Sequence, residues 1–221
     1  MQRPVDIKKL IKKTQDAINR MEYQEAEQYA KEVIAVANGS AQAHALLGFA
    51  LAARNDASGL DSLNRAIELE PRNLVARLAR ADWYRKQKNK AQFKADIQCV
   101  IEDGPRANEY VFQRQMAEIA FILLGDEALD EKNYEEAYHY YQKAREINPN
   151  SPLAVLGMGR AIFYDRENPT SALGWFQDVM DFFSYDPRIN QEFGMNLLSE
   201  GHVEKAAACF KEAVETTNQI T

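Results

Sequence analysis

Residues 133–150 read N-Y-E-E-A-Y-H-Y-Y-Q-K-A-R-E-I-N-P-N, with Tyr134 ahead of Ala137 and Tyr138, His139, Tyr140 and Tyr141 between Ala137 and Ala144. Aromatic rings at that density could stack a base, a sugar or a cofactor, or they could fill a core. The same question arises for the other residues with chemical potential. The three histidines, His44, His139 and His202, are far apart in sequence, and none has a second ligand-type residue at metal spacing. H-E-x-x-H, paired cysteine ligands and a calcium loop are absent from the sequence. L-G-M-G-R-A at 156–161 holds Gly157 and Gly159 but no third glycine where a phosphate loop needs one, and its pattern is helical. No G-x-S-x-G or G-x-x-x-x-G-K occurs. Abundant Asp and Glu on helical patterns read as solvated faces. No catalytic residue, cofactor or metal is predicted, and the chain is not expected to be an enzyme.

The whole chain sets the frame for those residues. It has 221 residues, is 46% hydrophobic and 27% charged, and contains only 10 Gly and 7 Pro, which is the profile of a folded globular chain. No apolar run reaches the roughly 18 residues of a membrane span. M-Q-R-P-V-D-I-K-K-L at the start lacks an apolar h-region, so no secretory signal and a cytoplasmic location are expected. Asn38-Gly39-Ser40 is a formal glycosylation acceptor that has no meaning without secretion. Cys99 and Cys209 stand alone and read as free thiols. A net charge of −6 disfavours nucleic acid as the main partner. That charge is uneven: residues 1–20 hold six Lys or Arg against two Asp, +4, which leaves −10 for the remainder.

The tyrosine stretch is half of a repeating element. Before the turn at Lys132-Asn133, Phe121, Leu124, Gly125 and Ala128 recur at i, i+3, i+4 and i+7. After it, Ala137, Tyr141 and Ala144 recur at i, i+4 and i+7, and Pro149 stops the second helix. The spacing predicts a helical hairpin in which Gly125 and Ala137 mark the close crossing. Tyr134 and Tyr141 are placed in its core, and Tyr138, His139 and Tyr140 on the other faces. The small–large pattern returns along the chain: Leu47, Gly48 and Leu63; Ala81, Phe93 and Ile97; Gly159, Ala172 and Phe176; Gly194, Ala206 and Phe210. Pro71 to Pro105 is a step of 34.

Six such hairpins resemble tetratricopeptide repeats, over about residues 7–220. The predicted repeats are 7–40, 41–73, 74–107, 118–151, 152–186 and 187–220. The resemblance implies an all-α solenoid of antiparallel helix hairpins, wound as a right-handed superhelix in a single domain. The third repeat departs from the pattern, with Arg80 where the family usually has Leu and Phe93 where it usually has Ala. Residues 107–117 exceed the period; they either extend the fourth repeat's first helix or form a separate short helix, so Tyr110 and Phe112 sit on structure that the plain repeat does not need.

Proteins of this family hold a partner segment against the concave side of their first helices. Those positions map to Ile11, Gln15 and Ile18; Ala45, Phe49 and Ala52; Leu78, Asp82, Arg85 and Lys86. They continue with Ile122, Asp126 and Leu129; Leu156, Arg160, Phe163 and Tyr164; Gln191, Met195 and Leu198. The expected anchors are Phe49, Leu78, Arg85, Ile122, Arg160, Phe163 and Tyr164. The Lys and Asn clamp with which some co-chaperones of the family hold a C-terminal carboxylate is absent, because Ile11, Gln15, Ala45 and Leu46 occupy its place. Apolar anchors with isolated charges suit an amphipathic protein segment. The third repeat is also locally basic, with eight Lys or Arg against four acids over 74–107.

The function expected is a non-enzymatic adaptor or assembly scaffold. Two alternatives stay open: a structural protein that self-associates, or a piece of a larger protein of the same repeats. A stripe of Ala207, Phe210 and Val214 is expected to lack full cover, and a monomer or weak dimer is favoured.

Overall fold

The computed structural model describes residues 6–103, 111–165 and 169–220, and its described elements are all helices. In chain order they are α1 (Ile7–Asn19), α2 (Tyr23–Val36), α3 (Ala41–Ala53), α4 (Gly59–Leu69), α5 (Leu74–Lys86) and α6 (Lys90–Asp103). They continue as α7 (Val111–Asp130), α8 (Tyr134–Ile147), α9 (Pro152–Tyr164), α10 (Pro169–Phe183), α11 (Pro187–Ser199) and α12 (Val203–Ile220). Consecutive helices pair as α1/α2, α3/α4, α5/α6, α9/α10 and α11/α12. The all-α hairpin architecture expected from the period is therefore present. The chain divides into two compact units, Met1–Ala120 and Phe121–Thr221, with the boundary inside α7. No described helix is long and apolar enough to cross a membrane.

Among the described residues, five first helices are capped and five hairpin turns closed by local chemistry. Asp6, Ser40, Asn73, Ser151 and Asp186 precede the first helices α1, α3, α5, α9 and α11, and each accepts a hydrogen bond from a first-turn backbone N–H. Ser40 thus caps α3. The turns inside the hairpins share a second device. Glu22 N–H donates to Ala17 O, Asp56 to Leu51, Asn89 to Tyr84, Asn133 to Ala128 and His202 to Leu197, each reaching five residues back. The residue before each donor, Met21, Asn55, Lys88, Lys132 or Gly201, has positive φ. Only one of the five is glycine, so the closing of the hairpin holds three long side chains in a conformation they disfavour.

Inside the hairpins a small residue on the first helix makes room for a large one on the second. A β-carbon on Gly125 would lie 2.6 Å from Tyr141 Cε1, and one on Gly157 would strike the same ring. Tyr141 thus occupies a slot between α7 and α9, and its hydroxyl donates to Asp126 Oδ1 at 2.7 Å. What Gly125 accommodates is this ring. Gly48 faces Leu63 at 2.6 Å and Gly194 faces Phe210 at 2.7 Å, measured the same way, and Gly159 meets Phe176. Tyr134 departs from its expected place in the core: it is half-buried, with its ring 6.3 Å from that of Tyr164.

The third hairpin solves its departures differently. Phe93 is fully buried. Asp96, only 1% exposed, receives Arg80 Nε and Nη2 at 2.7 Å each and Arg77 Nη1 at 3.0 Å. Arg80 Nη1 also donates to Asn64 Oδ1 at 2.7 Å, tying α4 to α5. Hydrogen bonds from the Arg80 guanidinium to the Asp96 carboxylate hold that guanidinium still more firmly in its charged form, against the opposing effect of burial. Where the family usually places leucine, a charged link takes over.

Of the excess residues, 111–117 lie in the same continuous helix as 118–130. Tyr110 falls outside the described residues, as do the side chains of Phe112 and Ala172.

Candidate partner-binding faces

Within the first unit, α3 packs against both α1 and α5; within the second, α9 packs against α11. First helices thus lie side by side within each unit.

In the first unit Phe49 is half-buried. It leans on the cluster around Ala45 and Leu63, with its ring 6.5 Å from that of Tyr23. Leu78, expected to reach a partner, is only 7% exposed and belongs to the interior. Arg85 Nη2 lies 3.5 Å from Asp82 Oδ1, and Lys86 Nζ lies 2.7 Å from Asp82 Oδ2. One carboxylate therefore meets two cations. At the other end of α5 an open hollow of about 430 Å³ is lined among others by Gln15, Gln42, Ala45, Glu70 and Val75.

In the second unit Ile122 is 8% exposed and packs in the cluster that contains Tyr141 and Met158, so it too offers a partner little surface. Arg160 is committed to Glu192 on α11: its Nε donates to Glu192 Oε1 at 2.8 Å, and Nη2 contacts the same oxygen. Phe163 is half-buried beside Tyr164, with ring centroids 5.2 Å apart and edge to face. Tyr164 is 46% exposed and also meets Tyr134. On α11, Met195 and Leu198 are exposed, and Gln191 is exposed one turn before Met195.

The anchors expected from the sequence thus separate. Phe49, Phe163 and Tyr164 keep accessible surface, Leu78 and Ile122 are core residues, and Arg85 and Arg160 are each half of an ion pair, with Asp82 on the same helix and with Glu192 on the next first helix. Glu192 and Tyr134 were missed as members of the face. Glu192 lies 32 residues after Arg160, close to one repeat length, and that spacing is the sequence signal that could have found it. Tyr134 had no such signal. A face of this kind holds apolar side chains between charged pairs. Among the described residues no group of His, Cys, Asp and Glu is arranged to hold a metal ion.

Residues 119–151 match the family model of the tetratricopeptide repeat. They comprise the end of α7, all of α8 and the turn that follows. No curated protein matches the chain. Solved structures do. The structure of PilF from Pseudomonas aeruginosa is similar over 92% of this chain and 88% of that one, with 17% identity and a TM-score of 0.70. A tetratricopeptide repeat protein from Parabacteroides merdae covers 96% of this chain and 79% of its own, with 16% identity and a TM-score of 0.70. YrrB, described as a tetratricopeptide repeat protein with an unusual peptide-binding site, covers 85% and 91% with 18% identity and a TM-score of 0.52. At these identities the likeness is one of fold.

Proposed function

The chain carries the tetratricopeptide repeat fold, and from that premise we propose that it is a non-enzymatic scaffold holding an amphipathic protein segment on its first helices. The six-repeat division belongs to this reading. The observation that carries it is the face of α9 and α11, where Tyr164, Met195 and Leu198 are exposed on neighbouring first helices. Beside them the Arg160–Glu192 pair supplies both signs of charge. Apolar side chains flanked by such a pair match a segment that alternates apolar and charged faces. YrrB, with its peptide-binding site, is a precedent within the fold. In the first unit Phe49 and Arg85 offer the same combination.

The test is site-specific photo-crosslinking in the native cell. A photoreactive residue at Tyr164 or Met195 captures the partner, and one at Tyr140 on α8 does not. Capture from Tyr140 alone overturns the assignment to the first helices. Self-association is the second reading, favoured by Val203 and Val214, both exposed on α12. Light scattering over a concentration series separates the two: a stable dimer at micromolar protein that Val214→Glu dissolves selects self-association.

A further inference from the structure

α1 exposes Lys8, Lys9, Lys12 and Lys13, while Thr14 and Ala17 on its other side are buried. Positions i, i+1, i+4 and i+5 put the four on one stripe as two rows, Lys8 with Lys12 and Lys9 with Lys13, spaced about 6 Å along the axis. None of them joins an ion pair among the described residues. Lys13 Nζ rests over the ring of Tyr29 at 4.9 Å, a contact that leaves its charge unneutralised. Like charges four apart on a helix repel one another. The stripe therefore carries a net positive charge, four lysines with Asp16 one turn beyond Lys12, in a chain whose residues beyond position 20 sum to −10.

We propose that this lysine stripe is a docking surface for an acidic protein segment, one whose Asp or Glu residues recur four apart along a helix. Such a segment spaces its carboxylates by about the same 6 Å as the lysine rows. Charge complementarity selects an anionic occupant, and the rest of the molecule selects which one. An anionic bilayer engages a basic helix best when the helix inserts an apolar side, and the apolar side of α1 is packed against α2. An extended polyanion, whether bilayer or nucleic acid, also approaches the acidic remainder of the chain and is repelled by it. Among the described residues the stripe itself is made of lysines without an arginine fork for phosphate, and the Tyr29 ring beside it is covered by Lys13. A short acidic segment confines its charge to the stripe. This surface shares no residue with the face proposed above and stands independently of it.

The experiment is fluorescence anisotropy on the full chain, with a labelled synthetic peptide of glutamate pairs repeating every four residues. The expected result is saturable binding that weakens with added salt. Lys8→Gln, Lys9→Gln and Lys12→Gln combined, which leaves Lys13 on Tyr29, weakens binding about tenfold at low ionic strength, in line with several exposed ion pairs. Lys205→Gln with Lys211→Gln, exposed lysines on α12, leaves the affinity unchanged. Circular dichroism melts confirm that the variants are folded. Equal binding by the triple variant overturns the proposal. So does tighter, stripe-dependent binding of phosphatidylserine vesicles or of a single-stranded oligonucleotide than of the peptide.

Discussion

Arg80 and Asp96 face each other across the third hairpin as a two-pronged pair, guanidinium Nε and Nη2 each 2.7 Å from a separate carboxylate oxygen. Asp96 is almost fully enclosed and takes a third donor from Arg77. Removing its charge leaves two arginines with one weak acceptor between them. Asp96→Asn should cost about 2–4 kcal/mol, because breaking an enclosed pair strands its partner. Glu68→Gln, which removes the partner of Arg65 in an exposed pair, should cost less than about 1 kcal/mol. Urea melts of the two variants check the contrast.

Glycines in this chain predict opposite outcomes. Gly125→Ala places a methyl against the Tyr141 ring and should destabilise by about 1–3 kcal/mol. Ala137→Leu, at a fully buried position in the same hairpin, should do likewise. Gly174 is exposed within α10, and a methyl group added there would meet nothing within 4 Å. Gly174→Ala should therefore stabilise by about 0.5–1 kcal/mol through helix propensity. Thermal melts that move in the same direction would contradict the packing.

The hairpin turns offer a gain. Met21 and Lys132 hold φ near +61° and +62°, a conformation that costs a residue with a β-carbon about 1–2 kcal/mol. Both side chains are exposed, so replacing them loses little packing. After the added flexibility of the unfolded chain is subtracted, Met21→Gly or Lys132→Gly should stabilise by about 0.5–1 kcal/mol. The shift in urea midpoint measures it.

Acid should loosen α11 at its start. Burial pushes the Asp186 carboxyl up, but hydrogen bonds from the Arg188 side chain and backbone outweigh it and hold the carboxyl below its ordinary value. A carboxylate depressed in the folded state contributes fully above the ordinary aspartate range, and that contribution is lost as pH falls through the folded value. Asp186→Asn can still cap the helix but has no such dependence. Its stability should therefore fall less than the parent's on acidification below the ordinary aspartate range, and parallel stability curves would rule the link out.

Much of the fold is written locally. Small and large residues recur at helical spacing, Pro71 and Pro149 follow the ends of α4 and α8, and short polar residues at Ser40, Asn73 and Ser151 cap the helices that follow. A helix is closed by bonds four residues apart, so its pattern can be read within a short window. The turns are less legible, since Met21, Lys88 and Lys132 adopt positive φ although nothing in their type favours it. The partner-binding face is less legible still. The repeat register placed Leu78 and Ile122 beside Phe49 and Tyr164, yet the first two are buried and the last is exposed. Arg160 read as a free cation until α11 brought Glu192 alongside it. Burial and pairing depend on which helix arrives against which, and those neighbours lie a repeat or more away along the chain. Sequence alone determined the hairpins and their period, and the packing of one hairpin on the next decided which side chains remain for a partner.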